Sequence, residues 1–294
     1  MSQQPKYRFY ATLLDAYRNV VESEEVWLTY WGNSAEPPHT PEQFHLLQVE
    51  GFINGLNRLE SEPSEAASKG TAFNELVDSL VDWRAPNVDN IEKVRDEDGN
   101  VMFINCELDG FKFSFPYHTV KYLADYYKDA VTQYLTKGVL QTSLGLVELY
   151  GYIDELMPNS IHDVKTTSRY EFPKFRKHAQ HLVYPYCLAQ EGSDIRHFQY
   201  DVVVWNKYGA PETHSEIYIY DPNRDIPVLR QWCEDLIGFI ELYRPLITEC
   251  KLFGGNKEDS PIPTPLHEVD TTGMPMHCQL LVQDIIKNHK LLGI

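Results

Sequence analysis

The sequence predicts a mixed α/β fold with a helical N-terminal layer and an inserted β-hairpin. Three observations carry this prediction. The first half holds capped helical periodicity, a turn near residue 99 separates two alternating runs, and the second half alternates strand-like and helical segments. With 294 residues, 43% of them apolar, the chain has material for one large core or two smaller ones.

Thr40-Pro41-Glu42-Gln43 marks a helix start, with Thr as cap, Pro at the first helical position and Gln closing a capping box. Phe44, Leu47, Val49, Phe52, Leu56 and Leu59 then follow an approximately helical period. A second helix is expected over 65–83, ended by Pro86. Asp98-Gly99-Asn100 is a turn signal, which places a hairpin over about 91–115. Helical spacing returns from Val120 to Leu135.

The second half reads as a compact α/β core. Strands are expected over 146–156 and 161–167, joined by the turn Met157–Ser160. A helix over 175–189, strands over 197–205 and 216–220, and a helix over 228–243 follow. Ser260–Pro265, with its spaced prolines, reads as a stiff extended segment before a last helix near 279–288. The expected organisation is a helical region over 1–64 packed on the core, a core over 65–250, and a C-terminal extension over 251–294.

Lys plus Arg number 26 and Asp plus Glu 43, a net charge of −17. That balance argues against coating nucleic acid through bulk charge, but not against a local nucleic-acid site, since charges beyond about 10 Å are largely screened. The five cysteines are scattered with no C-x-x-C spacing, so a structural zinc, a disulfide framework and a cysteine-held iron–sulfur cluster are not expected. No apolar run has spanning length, and Met1 to Arg8 lacks a signal-peptide core. The cytosol, with no membrane partner, is the expected address.

The chemistry is concentrated in Gly151-Tyr152-Ile153-Asp154 and Asp163-Val164-Lys165-Thr166-Thr167. Alternate residues of a strand share a face, so Asp163 and Lys165 project together while Val164 turns to the core. A loop over 157–160 sets residue 156 opposite 161 and Asp154 opposite Asp163, with Cβ atoms about 5 Å apart. Two ionised carboxylates so placed repel, unless one is protonated or a cation lies between them. A hard divalent ion with oxygen ligands resolves the conflict, and Lys165 stands one step along the same face to hold a water or neutralise a phosphoryl oxygen. The run Lys174–His181 is the densest basic stretch of the chain. On the helix expected there, Arg176, Gln180 and Tyr184 share one face suited to phosphate and base contact.

The ordered set Gly70-Thr71-x-x-Asn74 with Asp78, Gly151-x-x-Asp154, Asp163-x-Lys165-Thr166-Thr167 and Gln180-x-x-x-Tyr184 resembles the PD-(D/E)xK nuclease superfamily, in its RecB-like and phage-type exonuclease branch. The resemblance covers about residues 65–220, with a weaker echo at Thr12-x-Leu14-x-x-Tyr17. It implies a restriction-endonuclease-like core, a mixed central sheet flanked by helices. It also implies a Mg²⁺- or Mn²⁺-dependent deoxyribonuclease, with an exonuclease as the nearer expectation. By resemblance, Asp154, Asp163 and the Val164 carbonyl hold the metal, Lys165 assists the attacking water, and Glu75 or Asp78 completes the site. Gln180, Tyr184, Arg176 and Thr166 would contact DNA. Relatives often carry His where Asn74 stands. Phage-type relatives act beside single-strand annealing proteins and can oligomerise. The alternatives are a catalytically inactive nucleic-acid-binding protein of the same fold, an endonuclease of the superfamily, and a carbohydrate-active enzyme. The last needs no lysine two residues after its acid.

Overall fold

A computed structural model describes residues 4–206 and 210–294; the first three residues of the polar N-terminal stretch lie outside them. The chain opens with β1 (Tyr7–Tyr10), α1 (Ala11–Val21), α2 (Ser23–Trp31), α3 (Pro41–Leu56) and α4 (Glu65–Val81). Next come β2 (Asp89–Arg95), β3 (Val101–Leu108), β4 (Phe111–Pro116) and α5 (Tyr117–Tyr126). Strands β5 (Val131–Thr142), β6 (Gly145–Met157) and β7 (Ser160–Thr167) lead to α6 (Gln180–Gln190). Strands β8 (His197–Val204) and β9 (Glu212–Ile219), then α7 (Pro222–Leu242) and α8 (Met276–Leu292), complete the order. Among the described residues no helix is long and apolar enough to cross a membrane.

The chain forms two compact units interleaved in sequence, one of residues 1–61, 138–150 and 226–294, the other of 62–137 and 151–225. In the first, β1 runs parallel to the start of β6, with Tyr7 opposite Val147 and Tyr10 opposite Tyr150. The capping box expected at α3 is present: Thr40 Oγ1 accepts from Gln43 N, and Gln43 Oε1 accepts from Thr40 N at 2.8 Å. Tyr17 packs against Phe52 and Phe239 with ring centres 5.6 and 5.4 Å away, so it serves the apolar packing of this unit.

The second unit is a mixed sheet flanked by helices, the class the sequence predicts. Strands β6 and β7 are antiparallel, β7 and β8 parallel, and β8 and β9 antiparallel. Val164 and Val203 on one face pack with Ala72, Phe73, Leu76 and Val77 of α4 and with Val120 and Leu123 of α5. On the other face Phe198 and Tyr200 meet His181 and Tyr184 of α6. Buried apolar side chains thus clamp the sheet from both sides, a burial worth about 1.5–3 kcal/mol for each large side chain.

Four local expectations change. The segment 91–115 is a three-stranded antiparallel sheet, β2–β3–β4, because Asp109-Gly110, with φ of 53° and 81°, makes a second tight turn after the one at Gly99. The helix expected over 120–135 ends at Tyr126, and 131–142 is a strand. Its burial alternates, with Thr136, Gly138, Leu140 and Thr142 inward, which is a period of two and not 3.6. The β6–β7 loop has two residues rather than four, since Met157 pairs with Ser160, but the register stays as expected with Leu156 opposite Ile161. Finally, the helix expected from residue 175 starts at Gln180, and residues 172–179 form a loop. Glu216, 0% exposed, accepts the backbone N–H groups of Lys174 at 3.0 Å and Phe175 at 2.9 Å and ties this segment to β9.

Candidate active site

The β6–β7 register places the carboxylates. Glu155 pairs with His162, so the next positions along the ladder are Asp154 and Asp163. Lys165 Nζ lies 2.6 Å from Asp163 Oδ2, which puts the two polar residues of the Asp-x-Lys triplet on one face. Val164 between them is buried among the apolar side chains of α4. From α6, the Gln180 amide donates to Asp163 Oδ1. From α4, Asn74 Nδ2 donates to the Val164 carbonyl at 3.3 Å, and Asp78 Oδ2 accepts from Gln133 Nε2 at 3.1 Å. Asp154 thus lies near enough to feel Asp163 and Lys165 from β7 and Asp78 from α4.

Two glycines make the approach possible. A Cβ on Gly70 would stand 3.0 Å from Thr166 Oγ1, so α4 passes close over β7 at the Gly70-Thr71 pair. A Cβ on Gly151 would stand 2.6 Å from Cε1 of the buried Tyr184. Tyr184 thus packs on the strand that carries Asp154. Gly151→Ala is expected to lower stability by about 1–3 kcal/mol, the usual cost of overfilling a packed site. Denaturant unfolding measures it, and an unchanged midpoint would contradict this packing.

The electrostatics are those of an anionic cluster with Lys165 paired to Asp163 and Arg84 acting on Asp78. Asp78 and Asp163 are 2% and 1% exposed, and Glu155 is fully buried. Burial first, then repulsion from Asp163, pushes the Asp154 carboxyl well above the ordinary carboxylate range. Burial, then Asp154 and Asp78, does the same to Glu155. Burial pushes Asp78 up to about 6, against the opposing hydrogen bond from Gln133. Asn74 Oδ1 and Gln180 Oε1 have no hydrogen-bonding partner among the described residues, and the Asp78 and Glu155 carboxyls have a side-chain hydrogen bond to each other. Buried acceptors left without a partner cost about 1–3 kcal/mol each. Oxygen-rich and net negative, the donor set fits a hard divalent cation.

A raised carboxyl has a definite sign in stability. Asp78 binds its proton more tightly in the native chain than at the ordinary value of 3.8. Its stabilising protonated state is fully present below 3.8 and is lost as pH rises through about 6. Asp78→Asn, which mimics that state, is expected to raise the stability of metal-free protein at pH 7.5 by about 1–3 kcal/mol. It should also flatten this part of the pH profile. Thermal unfolding in chelator checks both, and a destabilised Asp78→Asn would contradict the account.

The other expected site residues are placed as follows. Glu75 is held by Arg84, whose Nη2 donates to Oε2 at 3.1 Å, and its Oε1 accepts from Asn87 N at 2.5 Å. Thr166 faces Gly70 on α4. Arg176 is exposed on the loop before α6, so it does not share a helical face with Gln180 and Tyr184. Gln180 and Tyr184 are buried, the first against Asp163 and the second against Gly151. Sequence reasoning missed Glu155 and Gln133. The signal for Glu155 was an acid at the inward position of an otherwise apolar strand; nothing local marked Gln133.

No family model matches the chain, and no curated protein does. Solved structures with a similar trace include "Crystal structure of SSO0001", at a TM-score of 0.38 and 13% identity over 81% of this chain and 78% of that one. A second, from Eubacterium rectale, is described as a "Putative exonuclease"; its TM-score is 0.36 at 14% identity, over 82% of this chain and 80% of that one. Likenesses this distant carry no argument about activity, and the functional reading rests on the site.

Proposed function

We propose that the chain is a divalent-metal-dependent DNA phosphodiesterase that degrades DNA from an end. The observation that carries the reading is the cluster of Asp78, Asp154, Glu155 and Asp163, crowded beside the ammonium of Lys165. Asp154, Asp163 and Asp78 would hold Mg²⁺ or Mn²⁺, with the Val164 carbonyl as a further oxygen. Glu75 is left out of this set because Arg84 and the Asn87 N–H already engage it. When bound, the cation supplies Lewis-acid polarisation of a phosphoryl oxygen and lowers the pKa of a water.

The chain's own groups do the rest. Lys165 places a positive charge where negative charge builds on the phosphate in an in-line displacement, and it orients the attacking water. Gln180 fixes the rotamer of Asp163 through its amide, so it acts as a positioning residue. Arg176, exposed on its loop, meets the DNA backbone, while Tyr184, buried against Gly151, supports the strand that carries Asp154 rather than touching DNA. The choice of exonuclease over endonuclease, and of a single-strand annealing protein as partner, rests on the resemblance of the motifs.

The test is a cleavage assay on end-labelled linear DNA and on covalently closed circles, with Mg²⁺ or with chelator. Linear DNA should shorten from an end in Mg²⁺ while circles stay intact, and Asp163→Ala should be inert. Absence of cleavage on every substrate in Mg²⁺ and Mn²⁺ would overturn the hydrolase reading. Cutting of circles would overturn the exonuclease reading alone.

A further inference from the structure

Three side chains distant in sequence meet in the first unit, apart from the carboxylate cluster. Glu50 comes from α3, His267 from the short 3-10 turn Leu266–Glu268, and His289 from α8. Glu50 is 6% exposed, and each of its oxygens faces one imidazole. His267 Nδ1 lies 2.7 Å from Oε1 and His289 Nε2 lies 2.6 Å from Oε2. One ligand atom from each residue lies within 4.8 Å of the other two.

We propose that Glu50, His267 and His289 form a second metal site, for a zinc-class divalent ion. Two imidazole nitrogens and one carboxylate oxygen are a borderline donor set that suits zinc, whereas Mg²⁺ prefers oxygen alone. Three protein ligands leave the fourth tetrahedral position to water. His267 keeps a 35% exposed side chain, which gives an ion a path from solvent. Its outer nitrogen, Nε2, lies 3.8 Å from Glu268 Oε1, beyond hydrogen-bond length but near enough to favour a positive charge on the ring side of the site.

The neighbouring backbone is already fixed. Leu266, 1% exposed, donates its N–H to Asn54 Oδ1 at 2.9 Å, and Asn288 Nδ2 donates to the Gln43 carbonyl at 3.0 Å. The turn and α8 are thereby held against α3 on either side of the triad. Without an ion, the triad is held by hydrogen bonds shared between the imidazoles and Glu50. Ligation needs lone pairs on those facing nitrogens, so any proton there moves to the outer ring nitrogen or leaves to solvent. A bound ion would join residues 217 and 239 positions apart, and it stabilises the native chain by mass action.

The test uses the full chain, stripped with chelator and then held in excess Mg²⁺ to occupy the carboxylate cluster. Zn²⁺ is titrated by calorimetry and the melting temperature is followed. One equivalent should bind and raise the melting temperature. His267→Ala, His267→Gln and His289→Ala should each weaken binding about 100-fold or more, since losing even an outer partner costs up to that much. The partly exposed His267 makes its two variants the ones most tolerant of substitution. Asp163→Ala should leave the zinc step unchanged. Lack of a zinc step in Mg²⁺, or one that survives the histidine substitutions, would overturn the proposal. So would a step lost in Asp163→Ala, which would place zinc in the carboxylate cluster.

Discussion

Lys165→Met is expected to lower Mg²⁺-dependent DNA cleavage by about 10²- to 10⁴-fold, the range for removing one acid–base or charge-stabilising group. The same change should leave Mn²⁺ affinity equal or tighter. The ammonium stands 2.6 Å from Asp163 Oδ2 and competes with a cation for that oxygen, so its removal frees a ligand. A purely structural ion pair would give another pattern: lost stability, with activity restored once the variant is folded and saturated with metal. Single-turnover cleavage at saturating Mn²⁺ separates the two. Retention of most of the wild-type rate would remove Lys165 from the chemistry.

Glu216→Ala is expected to cost about 3–5 kcal/mol, because it strips partners from several donors at once. Besides the Lys174 and Phe175 N–H groups, its oxygens accept from Tyr170 Oη at 2.9 Å and from Tyr218 Oη. Both phenols stay protonated donors at neutral pH, since burial and then Glu216 push Tyr170 up to about 12 and Tyr218 higher still. Losing this anchor releases the loop that leads into α6, and with it the position of Gln180 on Asp163. Denaturant unfolding and limited proteolysis within 170–179 measure the effect. Glu216→Gln, which keeps one acceptor, should lose about half as much. A cost below about 1 kcal/mol for Glu216→Ala would contradict the anchor.

The parts of the fold that were legible in sequence are those fixed by local chemistry. Thr40, Pro41 and Gln43 announce the start of α3 because cap, ring and side-chain amide all act within one turn. The β6–β7 register was readable since a short polar turn between apolar strands leaves few pairings. A shorter loop kept the same register because Met157 and Ser160 extend the ladder by one pair. Segments decided at long range were not readable. The 172–179 loop depends on Glu216 about 40 residues away, a carboxylate whose partners no local pattern reveals. Strand β5 was read as helix because its start was taken together with the tyrosine-rich α5 before it, while its fully buried positions alternate only from Thr136.

In the candidate site, strand alternation put Asp163 and Lys165 on one face, and the turn after residue 156 set the register that runs toward Asp154 and Asp163. The contribution of α4 could not be derived, because sequence spacing leaves Glu75 and Asp78 equally eligible. Only the structure shows that Arg84 and the Asn87 N–H engage Glu75, which is the ground for proposing Asp78 in its place. Glu155 escaped notice because strand alternation assigns its position to the core, where a carboxyl is costly.

The most direct measurement is a Mn²⁺ titration of metal-free protein at pH 7.5, in a His289→Ala background so that the carboxylate cluster alone is read. Saturable binding is expected, weakened about 10-fold or more by both Asp154→Asn and Asp163→Asn, as removing even an indirect partner of a metal does. Equal Mn²⁺ affinity in the parent and in both aspartate variants would contradict that expectation.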